Sequence, residues 1–172
     1  MGFIAKWKAK RAYKHAMTVY DLAITDWHTD VEIFKKIKEA FLIAAKGEDV
    51  VSNQTIQKKG EIGDVVLTTD RVLFNGMFNT KEWAFAKWNG AAASADETDY
   101  IFNVSNRQKT SGVLFSARDG REFNRFLSCA LIAAEYGIDR VITEVDKNMK
   151  ELEEDKPAIP PLEIKAIAPP PA

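Results

Sequence analysis

An α+β fold is predicted by three observations. Residues 3–46 contain neither Gly nor Pro and repeat their apolar side chains at helical spacing. Residues 48–117 break into β-branched and aromatic runs separated by Gly, Asn and Asp, the pattern of an antiparallel meander. Residues 122–136 return to a helical pattern with one broad apolar face. With 172 residues, 46% of them hydrophobic, the chain can bury one real core. The expected organisation is an N-terminal helical segment over 1–47, a bent antiparallel barrel or sandwich with its capping helix over 48–137, an amphipathic acidic helix over 138–156 and a Pro-rich tail over 157–172.

In the first segment Tyr13, Met17, Tyr20, Ile24, Trp27, Val31, Phe34 and Phe41 recur at steps of three and four, with one step of seven. Thr29 and Glu32 have capping-box spacing, which predicts two helices, about 3–26 and 30–46. A single helix would instead run to roughly 65 Å at 1.5 Å per residue and would need a partner chain to bury Tyr20, Ile24, Trp27 and Phe34. Gly47 supplies a left-handed C-cap.

The meander is expected to place strands near 50–58, 62–69, 71–77, 81–88, 99–105 and 112–117. Thr68-Thr69-Asp70-Arg71 closes the hairpin between Val65–Leu67 and Val72–Phe74, because short hydroxyl and carboxylate side chains bond their own backbone. Asn89 to Asp96, rich in Ala and Ser, reads as an exposed loop. Asp119 and Glu122 have cap spacing ahead of the helix carrying Phe123, Phe126, Leu127, Ala130, Leu131 and Ala134, which Gly137 ends. Val141, Val145, Met149 and Leu152 then line one side of a further helix, and Pro157, Pro160, Pro161 and Pro169–Pro171 exclude helix or central strand from the tail.

Lys and Arg number 24 against 25 Asp and Glu, so the net charge of −1 gives no argument for nucleic acid as a partner. Charge is distributed unevenly, with Lys6, Lys8, Lys10, Arg11 and Lys14 in the first twenty residues and no acid among them. Cys129 is the only cysteine, which excludes an intrachain disulfide and a Cys-based zinc site and fits a cytosolic setting. It should be buried and inert among Phe126, Leu127, Ala130 and Leu131. The longest apolar runs, 40–45 and 129–134, are far short of the roughly 18 to 20 residues that span a bilayer. No secretory signal pattern is visible. His15 and His28 make a poor metal site, and the two glycines of residues 60–64 precede a strand rather than open a helix, which removes the phosphate-binding logic. Neither a cofactor nor an enzymatic activity is expected.

A meander closed by one amphipathic helix is similar to the pleckstrin-homology-like barrel, including the GRAM-like bacterial domains. Residues 67–76, LTTDRVLFNG, resemble the hairpin of the bacterial members of that superfamily. TDRVLFNG, KEWAFAKW and VSNRQKTSGVLF, in this order, resemble an uncharacterised family of actinobacterial proteins also found in their phages. The resemblance implies a binding or scaffolding module that acts through protein partners or self-association, or a small phage protein with a structural or host-interaction role. It departs from the phosphoinositide-binding version, because Lys58-Lys59 is followed by Gly60-Glu61 and then Asp64 where that version carries alternating cations.

Three surfaces are candidate sites. The loop containing Asn106, Arg107, Gln108 and Lys109 can hold an anion or a partner's carboxylate through the planar Arg fork, or can be a solvated hairpin loop. Trp83 and Trp88 lie on opposite faces by strand parity, so one is a contact residue if exposed, or packs beneath the N-terminal helices. Phe3, Ile4 and Trp7 with Lys6, Lys10 and Arg11 can lie on an anionic membrane surface, or form a docked helix with a solvated basic face.

Overall fold

A computed structural model of the chain describes residues 3–58, 61–106 and 111–161. The protein is α+β. A helix, α1 (Phe3–Ala44), precedes seven strands, β1 (Val50–Lys58), β2 (Glu61–Thr68), β3 (Arg71–Gly76), β4 (Thr80–Ala84), β5 (Trp88–Ala93), β6 (Asp99–Val104) and β7 (Ser111–Leu114), and two helices follow, α2 (Ala117–Tyr136) and α3 (Ile138–Glu154). All strand pairs are antiparallel, in the order β4-β3-β2-β1-β7-β6-β5. Among the described residues β1 meets β7 at one pair, Gln57 with Leu114, so the strands group as four and three. Among the described residues the sheet does not close, and β4 and β5 stand at its two ends. The chain divides into two compact units, residues 33–148 and residues 1–32 with 149–172. No helix among the described residues is long and apolar enough to cross a membrane.

The larger unit buries the alternate residues of its strands: Val65 and Leu67, Val72 and Phe74, Trp83, then Tyr100, Phe102 and Val104. Helix α2 covers this core. Phe123 stacks on Phe115 at 4.5 Å between ring centroids and meets Tyr100 edge-on at 5.2 Å. The Tyr100 hydroxyl donates to the Gly120 carbonyl at 3.1 Å, and a side chain at Gly120 would collide with the Glu97 carbonyl. Glycine is therefore required where α2 meets the chain ahead of β6. Burying each of these aromatic side chains contributes roughly 1.5–3 kcal/mol. On α1 in this unit Ile33, Phe34, Ile37 and Phe41 are buried as well. Lys36 pairs with Glu122 at 2.8 Å and Lys38 with Asp146 at 2.6 Å, and the Arg125 guanidinium lies 5.8 Å from the Phe34 ring centre. In the smaller unit the Trp27 indole N–H donates to the Leu152 carbonyl at 2.7 Å, and the Lys156 ammonium stands 4.8 Å from the ring centre.

Four local expectations are corrected. The two helices over 3–26 and 30–46 are one, α1. Thr29 does not cap: its hydroxyl donates to the Thr25 carbonyl at 3.0 Å, as Thr25 does to Asp21 at 2.7 Å and Thr18 to Lys14 at 3.1 Å. Threonine bonded back to position i−4 leaves the helix intact, and no Gly or Pro interrupts it. The single helix does not need a partner chain to bury Trp27 and Phe34, since both are buried within this chain, while Tyr20 and Ile24 are half-buried. Gly47, at φ +108, follows the helix as expected.

The cap of α2 lies three residues earlier than Asp119. Ser116 is the N-cap, its hydroxyl accepting from the Asp119 N–H at 3.2 Å and donating to the Asp119 carboxylate at 2.8 Å. The strand expected over 81–88 is broken, because Phe85–Lys87 form a 3-10 turn between β4 and β5. The loop expected over 89–96 is mostly strand: Ala91, Ala92 and Ala93 pair with Phe102, Ile101 and Tyr100. Backbone pairing to β6 makes a strand of a sequence whose own side chains carry little β preference. The register is irregular between Trp88 and Gly90, and Gly90 adopts φ +135 beside that step.

The hairpin at Thr68–Arg71 forms as its side chains predict. The Thr68 hydroxyl accepts from the Asp70 and Arg71 N–H groups at 3.3 and 3.1 Å and donates to the Asp70 carboxylate at 2.7 Å. The Arg71 guanidinium then bridges Asp70 and Glu82.

Candidate functional site

The most exposed apolar side chains of the sheet are Met77 and Phe78, 82% and 81% accessible, adjacent at the tip of the β3–β4 hairpin. Strand register explains how the tip is held. Gly63 on β2 pairs with Gly76 on β3, so Glu61, two residues before Gly63, lies beside the turn. The Glu61 carboxylate accepts from the Phe78 N–H at 2.5 Å, the Asn79 N–H at 3.0 Å and the Asn79 side-chain amide at 3.0 Å. Gly76 N–H donates to the Asn79 carbonyl at 2.9 Å and closes the turn. Hydrogen bonds to an ionised carboxylate are roughly twice as strong as neutral ones, so the backbone under Phe78 is fixed by charge.

The strand ends next to the tip are equally constrained. The Phe74 ring lies across the facing Gly63 and Gly76, and a Cβ at either would stand 2.7 Å from ring carbons. Two glycines opposite one another leave a gap on the sheet face, and an aromatic ring folded over them restores the packing. The tip thus presents two large apolar side chains from a braced support, flanked by exposed Asn75, Asn79 and Thr80. Ile62, on the neighbouring strand β2, is 66% exposed.

The sites expected from sequence are distributed differently. Trp83 and Trp88 do not lie on opposite faces, because the 3-10 turn between them resets strand parity. Trp83 is fully buried, edge-on to Phe102 at 5.0 Å, with its indole N–H donating to the Ser111 hydroxyl at 3.3 Å. Trp88 is half-buried and meets the same Phe102 at 5.5 Å and Phe85 at 5.4 Å. Trp83 is therefore a core residue, and Trp88 shares its aromatic cluster. Asn106 is exposed after β6, while Arg107, Gln108 and Lys109 lie outside the described residues. Ile4, Lys6, Trp7, Lys10 and Arg11 are all exposed on α1, and the Arg11 guanidinium stands 5.5 Å from the Trp7 ring centre. The side chain of Phe3 lies outside the described set.

Among the described residues, no group of three or more His, Cys, Asp or Glu could hold a metal ion. Cys129 is buried, and that burial pushes its thiol up to about 11, against the opposing pull of Arg125. A thiol held protonated in this way is a poor nucleophile at neutral pH. Asp70 is held below the ordinary carboxylate range, first by its hydrogen bond from Arg71 and then by that from Thr68. Asp96 is lowered by hydrogen bonds from Ser94 and Thr98, which close the turn between β5 and β6. Both shifts arise in turns, from hydrogen bonds given by neighbouring side chains.

The hairpin tip was missed by sequence reasoning, although a signal was present. Turn residues are ordinarily polar, and Met77-Phe78 stands between Gly76 and Asn79, where solvation favours neither side chain. Comparison of the chain with protein-family models, with curated proteins and with solved structures found no match.

Proposed function

We propose that this chain is a non-enzymatic binding module of the pleckstrin-homology-like kind, which acts by presenting the Met77–Phe78 tip to a protein partner, a second copy of the chain included. The fold part of the reading is supported by the LTTDRVLFNG hairpin, by the grouping of four and three antiparallel strands, and by the helix α2 laid over their core. The functional part rests on one observation: two adjacent large apolar side chains, each more than 80% exposed, on a backbone clamped by Glu61. Exposing them in water is unfavourable, and a clamped support reduces the ordering entropy lost on binding. Neutral Asn75, Asn79 and Thr80 around the tip offer hydrogen bonds suited to peptide groups, so an apolar pocket with an amide rim is the complementary surface.

The test is selection of peptides from a displayed random library against the folded protein, followed by titration of the enriched sequences. A double variant, Met77→Ser with Phe78→Ser, should weaken their binding by about thirtyfold, the size of a hot-spot loss. A library from which nothing is enriched, or peptides that bind the double variant as tightly as the parent, would overturn the reading.

A further inference from the structure

We infer that the first four turns of α1 dock on an anionic bilayer surface, an interaction separate from that of the hairpin tip. Ile4, Trp7, Arg11 and Lys14 follow one another at steps of three, four and three, and so form one stripe along the helix. At 100° per residue this stripe lies opposite the seam of Tyr13, Met17, Tyr20, Ile24 and Trp27. The seam is the half-buried to buried side of this part of the helix, whereas the opposite stripe is exposed throughout. Ile4 is 69% and Trp7 53% accessible. Two large apolar side chains thus stand on the side of α1 away from its packing.

The charge around them selects the partner. Lys6, Lys8 and Lys10 join Arg11 and Lys14, all five are exposed, and the first carboxylate of the chain is Asp21. None of the five pairs with a carboxylate among the described residues. The Arg11 guanidinium, 5.5 Å from the Trp7 ring centre, puts a cation beside the most interfacial of the aromatic side chains. Cations alone would suit any polyanion. A Trp and an Ile on the same stripe add a group that enters the boundary between headgroups and acyl chains, which a bilayer provides and a phosphate backbone does not. Five cations near an anionic leaflet bind it additively and lose that attraction once salt shortens the Debye length.

The experiment is sedimentation of the full chain with vesicles of equal parts phosphatidylglycerol and phosphatidylcholine, and with pure phosphatidylcholine, at about 50 mM and about 500 mM salt. Pelleting with the anionic vesicles at low salt alone is expected. The triple variant Lys6→Gln, Lys10→Gln, Arg11→Gln should lower the partition coefficient by about two orders of magnitude. Ile4→Ser with Trp7→Ser should lower it by at least tenfold, as two interfacial side chains are lost. Both sets lie on exposed positions, and circular dichroism checks that helicity is retained. Met77→Ser with Phe78→Ser should pellet like the parent, which keeps this inference independent of the hairpin reading. Absence of pelleting, equal pelleting on both lipids, or pelleting unaffected by the α1 variants would overturn it. So would vesicle binding absent while duplex DNA, or a second copy detected by light scattering, is bound through the same side chains.

Discussion

Two stretches of α1 obey the same seven-residue spacing and end in different surroundings. Tyr13, Tyr20, Trp27, Phe34 and Phe41 repeat every seven residues. Phe41 and its neighbour Ile37 are wholly buried in the larger unit, whereas Tyr13 and Tyr20 are half-buried and Leu22, off the seam, is 66% exposed. Periodicity states which residues share a face. Which stretch of that face is covered depends on what other elements supply, and in the larger unit α2 and α3 supply ion pairs to Lys36 and Lys38 beside the buried residues. The helix is continuous in backbone terms and divided in burial, with its wholly buried side chains, Ile37 and Phe41, after residue 32.

The largest test of that division is a pair of truncations. Phe41→Ala should cost about 3–5 kcal/mol, since it leaves a cavity at a fully buried position. Tyr20→Ala, on the same seam but half-buried, should cost less, about 1–2 kcal/mol. Chemical denaturation followed by circular dichroism measures both, and equal losses would show that the two stretches are packed alike. A middle-sized effect is expected on β2, beside the hairpin that carries the tip. Gly63→Ala sets a methyl against the Phe74 ring and the Asn75 carbonyl and should cost about 1–3 kcal/mol. Fluorescence-monitored unfolding checks this, and a neutral result would mean that the ring moves aside freely.

The smallest effect is a pH dependence located at the other end of β3, in the turn from β2. Asp70 is lowered in the folded protein, first by Arg71, so its contribution is present above the unfolded value of about 4 and is lost as pH falls through the lower folded value. The group is largely exposed, and screening by solvent limits the contribution to about 0.5 kcal/mol. Asp70→Asn should therefore flatten the stability curve slightly below about pH 4 and leave it unchanged in shape at neutral pH. An unaltered acid limb would remove the Asp70–Arg71 pair from the account of the turn.

The strands over residues 50–76 were legible because Val65, Leu67, Val72 and Phe74 alternate and because Thr68 and Asp70 can bond only their own turn. The small strand β5 was not, since Ala91–Ala93 acquire their extended form from pairing with β6 rather than from their own side chains. Trp83 and Trp88 show the same limit from another side. Counting parity between them presumes an unbroken strand, and three residues of 3-10 turn bring both rings to Phe102. At the candidate tip the unusual pair Met77-Phe78 was visible in the sequence, but the carboxylate that braces it comes from Glu61 on a neighbouring strand, seventeen residues before Phe78.

By itself the sequence determined the properties that arise within a few residues: helical and strand periods, the Thr68–Asp70 turn, the glycine after α1 and the basic stripe with Ile4 and Trp7. Those depend on side-chain spacing and short-range hydrogen bonds, which the order of residues already specifies. The continuity of α1 across Thr29, the N-cap at Ser116, the strand at Ala91–Ala93, the meeting of Trp83 and Trp88, and the bracing of the hairpin tip were decided only in the tertiary structure. Each is a choice between local states that differ by little in free energy, and the contacts that settle it come from residues distant in the chain.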